Sequence, residues 1–487
     1  MKKIFFPFLT LLISFSPAIA VAQNCSCHEL LDSLIKKVET DYAGYIHKVK
    51  EPGNKSYENF KKEIKTKSGN VAFIDCYGIL DEYVKFFHDG HLFIIEFPNP
   101  SQAQSDSLQL LIKHMPVPAN YTDALTKKTE KDSVEGIWGD TFNQQIAIVK
   151  KEDNLFYGII QQSNIPKWEP GMVRMEIKKV KENEYNITYY KDNFSKIHFT
   201  GAHIDKNVFL SFGVYSLAKL FPRNPEIEYV NLNNPSLPVM KIIDNKNVLL
   251  TIPSALIDGK YLDSLLDKYD NAITSTPNLI IDIRGNGGGN YIWGRLYYIA
   301  NTIVYPTPKK IKDDDFLMLA SEDDADYVKN RIASYFKKTK DSTGIKYYDE
   351  LISKIKNNIG KVIGFSYYNP WPDTAKRVVM PNPSHISVII DKGVASAGEA
   401  FVQGIKETGT KAILYGSNTY GMIDYMNVNI IPFDSERNQL YYLGYPTFFS
   451  KEIKTKPINP TGIKPDIYIP ANTVDWIRWV VDDFNKK

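Results

Sequence analysis

Cysteine, uncompensated charge and long apolar runs are all scarce in this sequence. Only three cysteines, Cys25, Cys27 and Cys76, occur among 487 residues. The first two lack the spacing of a zinc finger, so we expect no structural metal. An oxidising compartment would permit one disulfide, from Cys76 to Cys25 or Cys27. The 59 basic and 56 acidic residues leave a formal net charge of +3, which gives no electrostatic case for nucleic acid or an anionic membrane as partner.

The longest apolar stretch lies at the N-terminus. Residues 1–22 combine two lysines with an apolar run that is shorter than the ~20 residues of a spanning helix and is interrupted by Pro7 and Pro17. This pattern predicts a secretory signal cleaved near Gln23. A membrane anchor or a lipoprotein on Cys25 is the alternative, although no convincing lipobox precedes that cysteine. We expect a periplasmic or secreted protein whose mature chain has no membrane span.

The rest of the chain changes its apolar period three times, which predicts a multidomain α/β plus β protein. Residues 23–130 carry the three- and four-residue spacing of helices, and 131–235 alternate with the period of strands. Residues 236–487 alternate strands with helices, which indicates a mainly parallel sheet whose ligands gather beyond the strands' carboxyl ends. The charged, aromatic stretch at about 305–383 interrupts this order as an insertion.

Two of these segments leave their roles open. The strand-rich segment 131–235 predicts an antiparallel sandwich or a small barrel, with Trp138 as a closing or core residue. It could bind peptide, glycan or another subunit, or it could be a scaffold that positions the N-terminal region. The insertion at 305–383 either covers the sheet edge or the site, or forms a surface lobe.

Two strand ends carry residues suited to chemistry. "IIDIRGNGGGN" (280–290) brings backbone N–H donors to the end of a buried strand, but it lacks the third glycine of a dinucleotide fingerprint and the lysine of a P-loop. In "VIIDKGVASAGEAF", Ser396 follows a strand and a tight turn and stands at a helix start. Ser396 is therefore a candidate nucleophile, or it forms a capping box with Glu399.

Four motifs together resemble one family. "NLIIDIRGNGGGN", "SVIIDKGVASAGEAF", "GSNTYGM" and "PTGIKPDIYIP" occur in the order found in the serine peptidase family of C-terminal (tail-specific) processing peptidases and the tricorn protease core. The resemblance implies a catalytic α/β domain of the ClpP/crotonase-like type. It also implies that Ser396 is the nucleophile and that Gly288 and Ala397 form the oxyanion hole.

The general base distinguishes the branches of that family. Processing peptidases carry a lysine in a T-x-G-K segment, whereas this chain has Met422 in "TYGMID". Tricorn-like members use a histidine from the N-terminal part, and "DGHLFI" resembles their D-G-H segment, so the resemblance points to His91. A neutral imidazole can accept the hydroxyl proton and return it to the leaving amine. The serine that precedes the tricorn histidine is replaced here by Gly90.

An acid that orients the imidazole is also expected. Glu452 lies roughly where tricorn-like members carry a glutamate, with Glu399 and Asp89 as rivals. The strand-rich segment shows no carboxylate-binding loop of the PDZ type, so recognition of peptide tails is not expected. The sequence thus favours an exported serine endopeptidase or oligopeptidase that acts on peptide or protein substrates without a cofactor, alone or as an oligomer. The alternatives are a non-catalytic peptide- or ligand-binding protein and, third, a nucleotide-binding protein.

Overall fold

The computed structural model describes residues 26–72, 75–139, 144–206, 208–213, 215–231, 236–290, 292–299, 316–366, 381–408, 411–433 and 440–486. The predicted signal segment and Cys25 lie outside these ranges. In the described ranges, no helix combines the length and apolar character that crossing a membrane requires.

The N-terminal region is mainly helical, as the apolar spacing predicts. A disulfide joins Cys27, at the start of the first helix, to Cys76, directly before the fourth, so Cys27 and not Cys25 is the partner of Cys76. A π-helical turn, Ile46–Lys50, follows the second helix. The elements are α1 (Cys27–Asp41), α2 (Ala43–Tyr45), α3 (Lys55–Ser68), α4 (Tyr77–Lys85), β1 (Phe93–Glu96), α5 (Gln102–Gln109) and α6 (Tyr121–Lys127).

A closed eight-stranded antiparallel barrel follows, which confirms the barrel alternative. Its strands are β2 (Gly136–Gly139), β3 (Gln145–Glu152), β4 (Leu155–Gln162), β5 (Val173–Lys181), β6 (Glu184–Tyr190), β7 (Lys196–Asp205), β8 (Phe209–Phe212) and β9 (Tyr215–Phe221). Each strand pairs with the next, and β2 pairs with β9 to close the barrel. Trp138 is fully buried in the barrel core and donates its indole N–H to the Val134 carbonyl.

The remaining chain forms two further sheets. The strands are β10 (Val239–Ile242), β11 (Asn247–Thr251), β12 (Asn278–Asp282), β13 (Phe316–Leu319), β14 (Val362–Phe365), β15 (His385–Ile390), β16 (Ala412–Gly416), β17 (Tyr425–Pro432), β18 (Tyr441–Ser450) and β19 (Ile467–Tyr468). The helices are α7 (Gly259–Lys268), α8 (Asp270–Ser275), α9 (Gly294–Ile299), α10 (Glu322–Tyr327), α11 (Ser334–Thr339), α12 (Ser342–Lys356), α13 (Ala397–Thr408) and α14 (Trp476–Asn485).

The first of these sheets is mainly parallel, as the strand–helix alternation predicts. Its order is β10-β11-β12-β15-β16-β19, and only β10 runs antiparallel to its neighbour. Ile281 of β12 lies between Leu250 and Val388 of the adjacent strands, and all three side chains are buried. Because β12 and β15 are parallel neighbours, the glycine-rich segment after β12 and the Ser396 segment after β15 leave the sheet at the same edge.

The second sheet is antiparallel and joins three distant parts of the chain. Its order is β1-β18-β13-β14, with β17 also paired to β18. The described part of the predicted insertion, residues 316–366, supplies β13 and β14 to this sheet and packs α10, α11 and α12 into one apolar cluster. The strand after the predicted base, β1, therefore lies in the same sheet as β17 and β18.

Candidate active site

Ser396 occupies a strained position immediately before α13. Its φ is +53°, a left-handed conformation that is uncommon for residues other than glycine and is often found at functional sites. It is partly exposed, and no hydrogen bond to its hydroxyl occurs among the residues that the structure describes. The N–H of Ala397, the first residue of α13, likewise has no acceptor in the described part of the chain. Helix N-termini favour negative charge, so a developing anion at Ser396 would be stabilised here.

The expected capping box at Ser396 does not form. A capping serine adopts an extended backbone, whereas the backbone of Ser396 is left-handed. The carboxylate of Glu399 accepts hydrogen bonds from Thr419, Gly421 and Met422 instead of from the Ser396 backbone. The alternative prediction, that Ser396 and Glu399 form a capping box, is therefore wrong.

The glycine-rich segment lies directly against Ser396. Gly288 has a φ of +98°, and a Cβ built there would lie 2.7 Å from the Ser396 Cβ and 2.9 Å from the Ala397 nitrogen. Only glycine allows so close an approach of backbone to the serine. Two further bonds tie the segment to the Ser396 turn, because Asn286 accepts from the N–H of Ala395 at 3.0 Å and Asp391 accepts from the N–H of Gly285 at 2.9 Å.

The N–H of Gly288, which the resemblance predicts as an oxyanion donor, already has an acceptor in the structure. It donates to Asn286 Oδ1 at 3.0 Å, and the Asn286 amide in turn donates to the Ile252 carbonyl at 2.9 Å. The Gly288 carbonyl accepts from the N–H of Ala255 at 3.2 Å. Because C=O and N–H point in opposite directions in a trans peptide, the N–H of Gly289 points away from Ala255. Within the described ranges this N–H has no acceptor.

His91 is held in one orientation by groups other than the expected acids. The side chain is 4% exposed, and its Nδ1 contacts the Tyr425 carbonyl oxygen at 2.5 Å. A carbonyl only accepts, so Nδ1 must carry the proton, which leaves Nε2 as the unprotonated nitrogen of the neutral ring. Asp89 binds the backbone and not the ring, because its Oδ1 accepts from the N–H of His91 at 2.9 Å and its Oδ2 from the Tyr42 hydroxyl at 2.7 Å.

Glu452 is not brought to the imidazole. It lies in a short 3-10 turn, Lys451–Lys454, at the end of β18, and 59% of its side chain is exposed. Its carboxylate pairs with Lys456 at 3.5 Å, and in the described part of the chain no hydrogen bond or ion pair joins it to His91. The group in contact with His91 Nδ1 is instead the Tyr425 carbonyl.

The loop Thr419–Met422 connects the serine and histidine segments. Glu399, fully buried in α13, accepts from Thr419 Oγ1 at 2.6 Å and from the N–H groups of Gly421 and Met422 at 2.7 and 2.9 Å. The other side of the loop packs on Gly90, where an added Cβ would lie 3.0 Å from Met422 Cε. Glu399, three residues after the candidate nucleophile, thus fixes the loop that supports the residue before the candidate base.

A buried ionic cluster lies beneath the glycine-rich segment. Arg284 donates to Asp282 at 2.9 and 3.0 Å and to Glu226 at 3.0 Å, and Lys206 of the barrel pairs with Asp282 at 3.3 Å. These four side chains are at most 2% exposed. Burial opposes the ionisation of Asp282, but the charges of Arg284 and Lys206 outweigh it and lower the pKa of Asp282 to about 2. The cluster fixes the strand end from which the glycines extend.

Two groups that hold the site, Asn286 and the Tyr425 carbonyl, are not predicted by the sequence motifs. Glu399 is predicted as a cap or an orienting acid, whereas in the structure it binds the loop Thr419–Met422. For Asn286 a signal existed, because a polar residue between glycines at a strand end often bonds to neighbouring backbone. The sequence cannot indicate the Tyr425 carbonyl as the partner of His91, because every residue carries a backbone carbonyl. Among the described residues, no group of three His, Cys, Asp or Glu side chains is placed to hold a metal.

Comparisons with known proteins concern the C-terminal half and the overall fold. Residues 248–469 match the family model described as Peptidase family S41. Mature CPAF complexed with lactacystin is 14% identical, with 94% of this chain and 97% of that chain covered and a TM-score of 0.48. A lipoprotein from Streptococcus agalactiae is 11% identical, with 94% of this chain and 97% of that chain covered and a TM-score of 0.39. The photosystem II D1 C-terminal processing protease is also 11% identical, with 93% of this chain and 96% of that chain covered and a TM-score of 0.34. Likeness at this level assigns no residue a role. No curated protein sequence matches the chain.

Proposed function

We propose that this chain, whose residues 248–469 match the family model described as Peptidase family S41, is a serine-type hydrolase that cleaves peptide bonds through an acyl-enzyme formed on Ser396. The observation that carries the proposal is the conformation of Ser396. A left-handed serine at the first turn of α13, pressed against Gly288, presents its hydroxyl beside N–H groups that have no described acceptor. This is the arrangement required of a nucleophile whose product is an oxyanion.

His91 acts as the base in this proposal. Its Nδ1–H bond to the Tyr425 carbonyl leaves Nε2 free to accept the Ser396 hydroxyl proton. Ser396 Oγ attacks the peptide carbonyl carbon while the proton moves to Nε2. The tetrahedral intermediate collapses when the C–N bond breaks, and the imidazolium returns the proton to the leaving amine. A water molecule, deprotonated by the same nitrogen, then hydrolyses the ester and regenerates the serine.

Ala397 and Gly289 are the oxyanion donors that we propose. The N–H of Ala397 lies at the positive end of α13, and the N–H of Gly289 is directed away from its neighbouring strand. Gly288 is then the residue that permits the close approach, with its own N–H held by Asn286. In an unrelated serine protease the loss of one such donor lowers turnover about 10²–10³-fold.

We further propose that the protein acts after export, on peptides or unfolded proteins. The buried Cys27–Cys76 disulfide supports export, because such bonds persist in oxidising compartments. The peptidase family supports the substrate class.

The proposal is tested by Ser396→Ala and His91→Ala, each assayed with casein, a quenched fluorogenic peptide library and a serine-directed fluorophosphonate. We expect Ser396→Ala to abolish labelling, and both variants to lower kcat by at least about 10³-fold, as the loss of nucleophile or base does in other serine proteases. Thermal unfolding temperatures should match that of the wild type.

Matched controls are Ser264→Ala on α7 and His28→Ala on α1, since the hydrogen bonds and ion pairs of these side chains involve none of the site residues described above. Both controls should retain wild-type turnover and labelling. Labelling that persists in Ser396→Ala would exclude the serine as nucleophile. A wild-type protein that binds peptides but is neither labelled nor active would instead be the non-catalytic binding protein.

A further inference from the structure

Tyr420 is a large aromatic side chain that stays half exposed although its backbone is firmly held. The side chain is 53% exposed, whereas its N–H donates to the Val394 carbonyl at 2.8 Å, two residues before Ser396. The neighbouring residues Thr419 and Gly421 are both bound by the Glu399 carboxylate. A fixed, exposed ring offers binding surface without the entropy cost of ordering it.

The ring lies between the elements that hold the nucleophile and the base. A Cβ added to Gly90, the residue before His91, would lie 2.9 Å from Tyr420 Cε1. The bond to Val394 ties the same residue to the Ser396 turn. A peptide whose scissile bond reaches both Ser396 and His91 must therefore pass close to this ring.

One turn of the barrel acts electrostatically on the same tyrosine. Burial of the hydroxyl raises the pKa of Tyr420, the charges of Glu184, Asp89 and Glu399 raise it further, and that of Lys181 opposes the rise. The charged groups of Lys181 and Glu184 therefore lie within electrostatic range of the phenol, together with the carboxylates of Asp89 and Glu399. Lys181 and Glu184 flank the turn between β5 and β6 and form an ion pair at 2.8 Å, so this turn brings no net charge to the tyrosine.

Hydrogen bonds to a neighbouring strand fix the position of the turn 181–184. Asn183 within it forms two hydrogen bonds with the backbone of Ile204 on β7, at 3.0 and 2.9 Å. In an up-and-down barrel the β5–β6 and β7–β8 turns lie at the same end. The second of these turns carries Lys206, which pairs with buried Asp282 beneath the glycine-rich segment. This end of the barrel is thus attached to the α/β domain at the site.

We propose that Tyr420 and the barrel turn 181–184 form two sides of a substrate subsite that receives a large apolar side chain of the peptide. This inference rests on the proposed function for its substrate class. The exposed ring and the adjacent Met422 supply apolar contact surface. The Lys181–Glu184 pair is neutral overall, and the other charged groups that act on the ring, Asp89 and Glu399, are buried carboxylates, so the subsite selects apolar side chains over acidic ones. The barrel is accordingly part of the substrate-binding surface.

The test measures peptide binding to Ser396→Ala protein, so that it does not depend on catalysis. A fluorescent hexapeptide is made in versions that place phenylalanine or alanine at one position at a time, and the ratio of dissociation constants is taken for each position. We expect one position to favour phenylalanine by at least about tenfold, the discrimination typical of an apolar pocket. Adding Tyr420→Ala should reduce that ratio below about threefold, while Tyr420→Phe should retain it.

The double variant Lys181→Ala/Glu184→Ala tests whether the barrel contributes to the subsite. The matched control is Lys150→Ala/Asp153→Ala, which removes an ion pair of the same sequence spacing at the β3–β4 turn. Only the Lys181→Ala/Glu184→Ala variant should lower the ratio of dissociation constants between the alanine and phenylalanine peptides. The inference is overturned if no position discriminates, if Tyr420→Ala leaves the ratio unchanged, or if it weakens all peptides equally. Binding with the expected ratio but no cleavage by the wild type would support the subsite and refute the proposed peptidase.

Discussion

Replacing Glu399 with glutamine tests whether this carboxylate positions the loop Thr419–Met422. Both carboxylate oxygens are used: Oε1 accepts from Thr419 and Gly421, and Oε2 accepts from the N–H of Met422. Glutamine has the same shape but only one acceptor oxygen. If its oxygen stays with Thr419 and Gly421, its NH₂ group faces the N–H of Met422, and two donors oppose each other in a buried site.

The expected cost follows from these three bonds. Hydrogen bonds to a charged group contribute about 1.5–3 kcal/mol each. Glu399→Gln loses the bond from Met422 and weakens the bonds from Thr419 and Gly421, so the expected cost in free energy is roughly 2–4 kcal/mol. Met422 packs on Gly90, beside His91, and the cost should therefore appear as displacement of the base. At 1.36 kcal/mol for each tenfold change, kcat/KM should fall about 30- to 1,000-fold.

The assay is kcat/KM on a fluorogenic peptide, together with the rate of phosphonate labelling and a urea unfolding curve that detects loss of folded protein. Glu452→Gln is the matched control, because the same chemical change at an exposed residue with one ion pair at 3.5 Å should alter kcat/KM less than twofold. If Glu399→Gln folds poorly, Thr419→Val removes one of the same bonds, and Thr419→Ser should restore it. Wild-type activity in Glu399→Gln, or an equal loss in Glu452→Gln, would refute the reasoning.

Two predictions concern stability. Asp282→Asn leaves buried Lys206 without a counterion and Arg284 with Glu226 alone, and it should lower the free energy of unfolding by about 3–5 kcal/mol, measured in urea; a change under about 1 kcal/mol would contradict the buried cluster. Burial, aided by Asp323, raises the pKa of Asp41 from 3.8 to about 7. Because the folded state holds this proton more tightly, wild-type stability should fall as pH rises from about 4 to 7. Asp41→Asn should reduce that fall, and parallel pH profiles of thermal unfolding temperature would exclude the effect.

Much of the fold could be predicted because its signals are local. The period of two between 131 and 235 predicts antiparallel strands that the structure closes into a barrel, and the alternation after 236 predicts the parallel sheet. The second sheet cannot be predicted from local patterns, because β1 and β18 pair across more than 300 residues of sequence. Long-range pairing depends on register between distant segments, and neither segment carries that information alone.

The sequence by itself determined which residues could do chemistry: a serine at a helix start, glycines at a neighbouring strand end, a histidine after a turn and no lysine in the TYGM loop. Only the tertiary structure decided how they are held. It assigned the orientation of His91 to the Tyr425 carbonyl, 334 residues away, and gave the Gly288 N–H to Asn286. The physical reason is that backbone donors and acceptors are the same in nearly every residue, so their partners depend on the folded geometry and not on residue type.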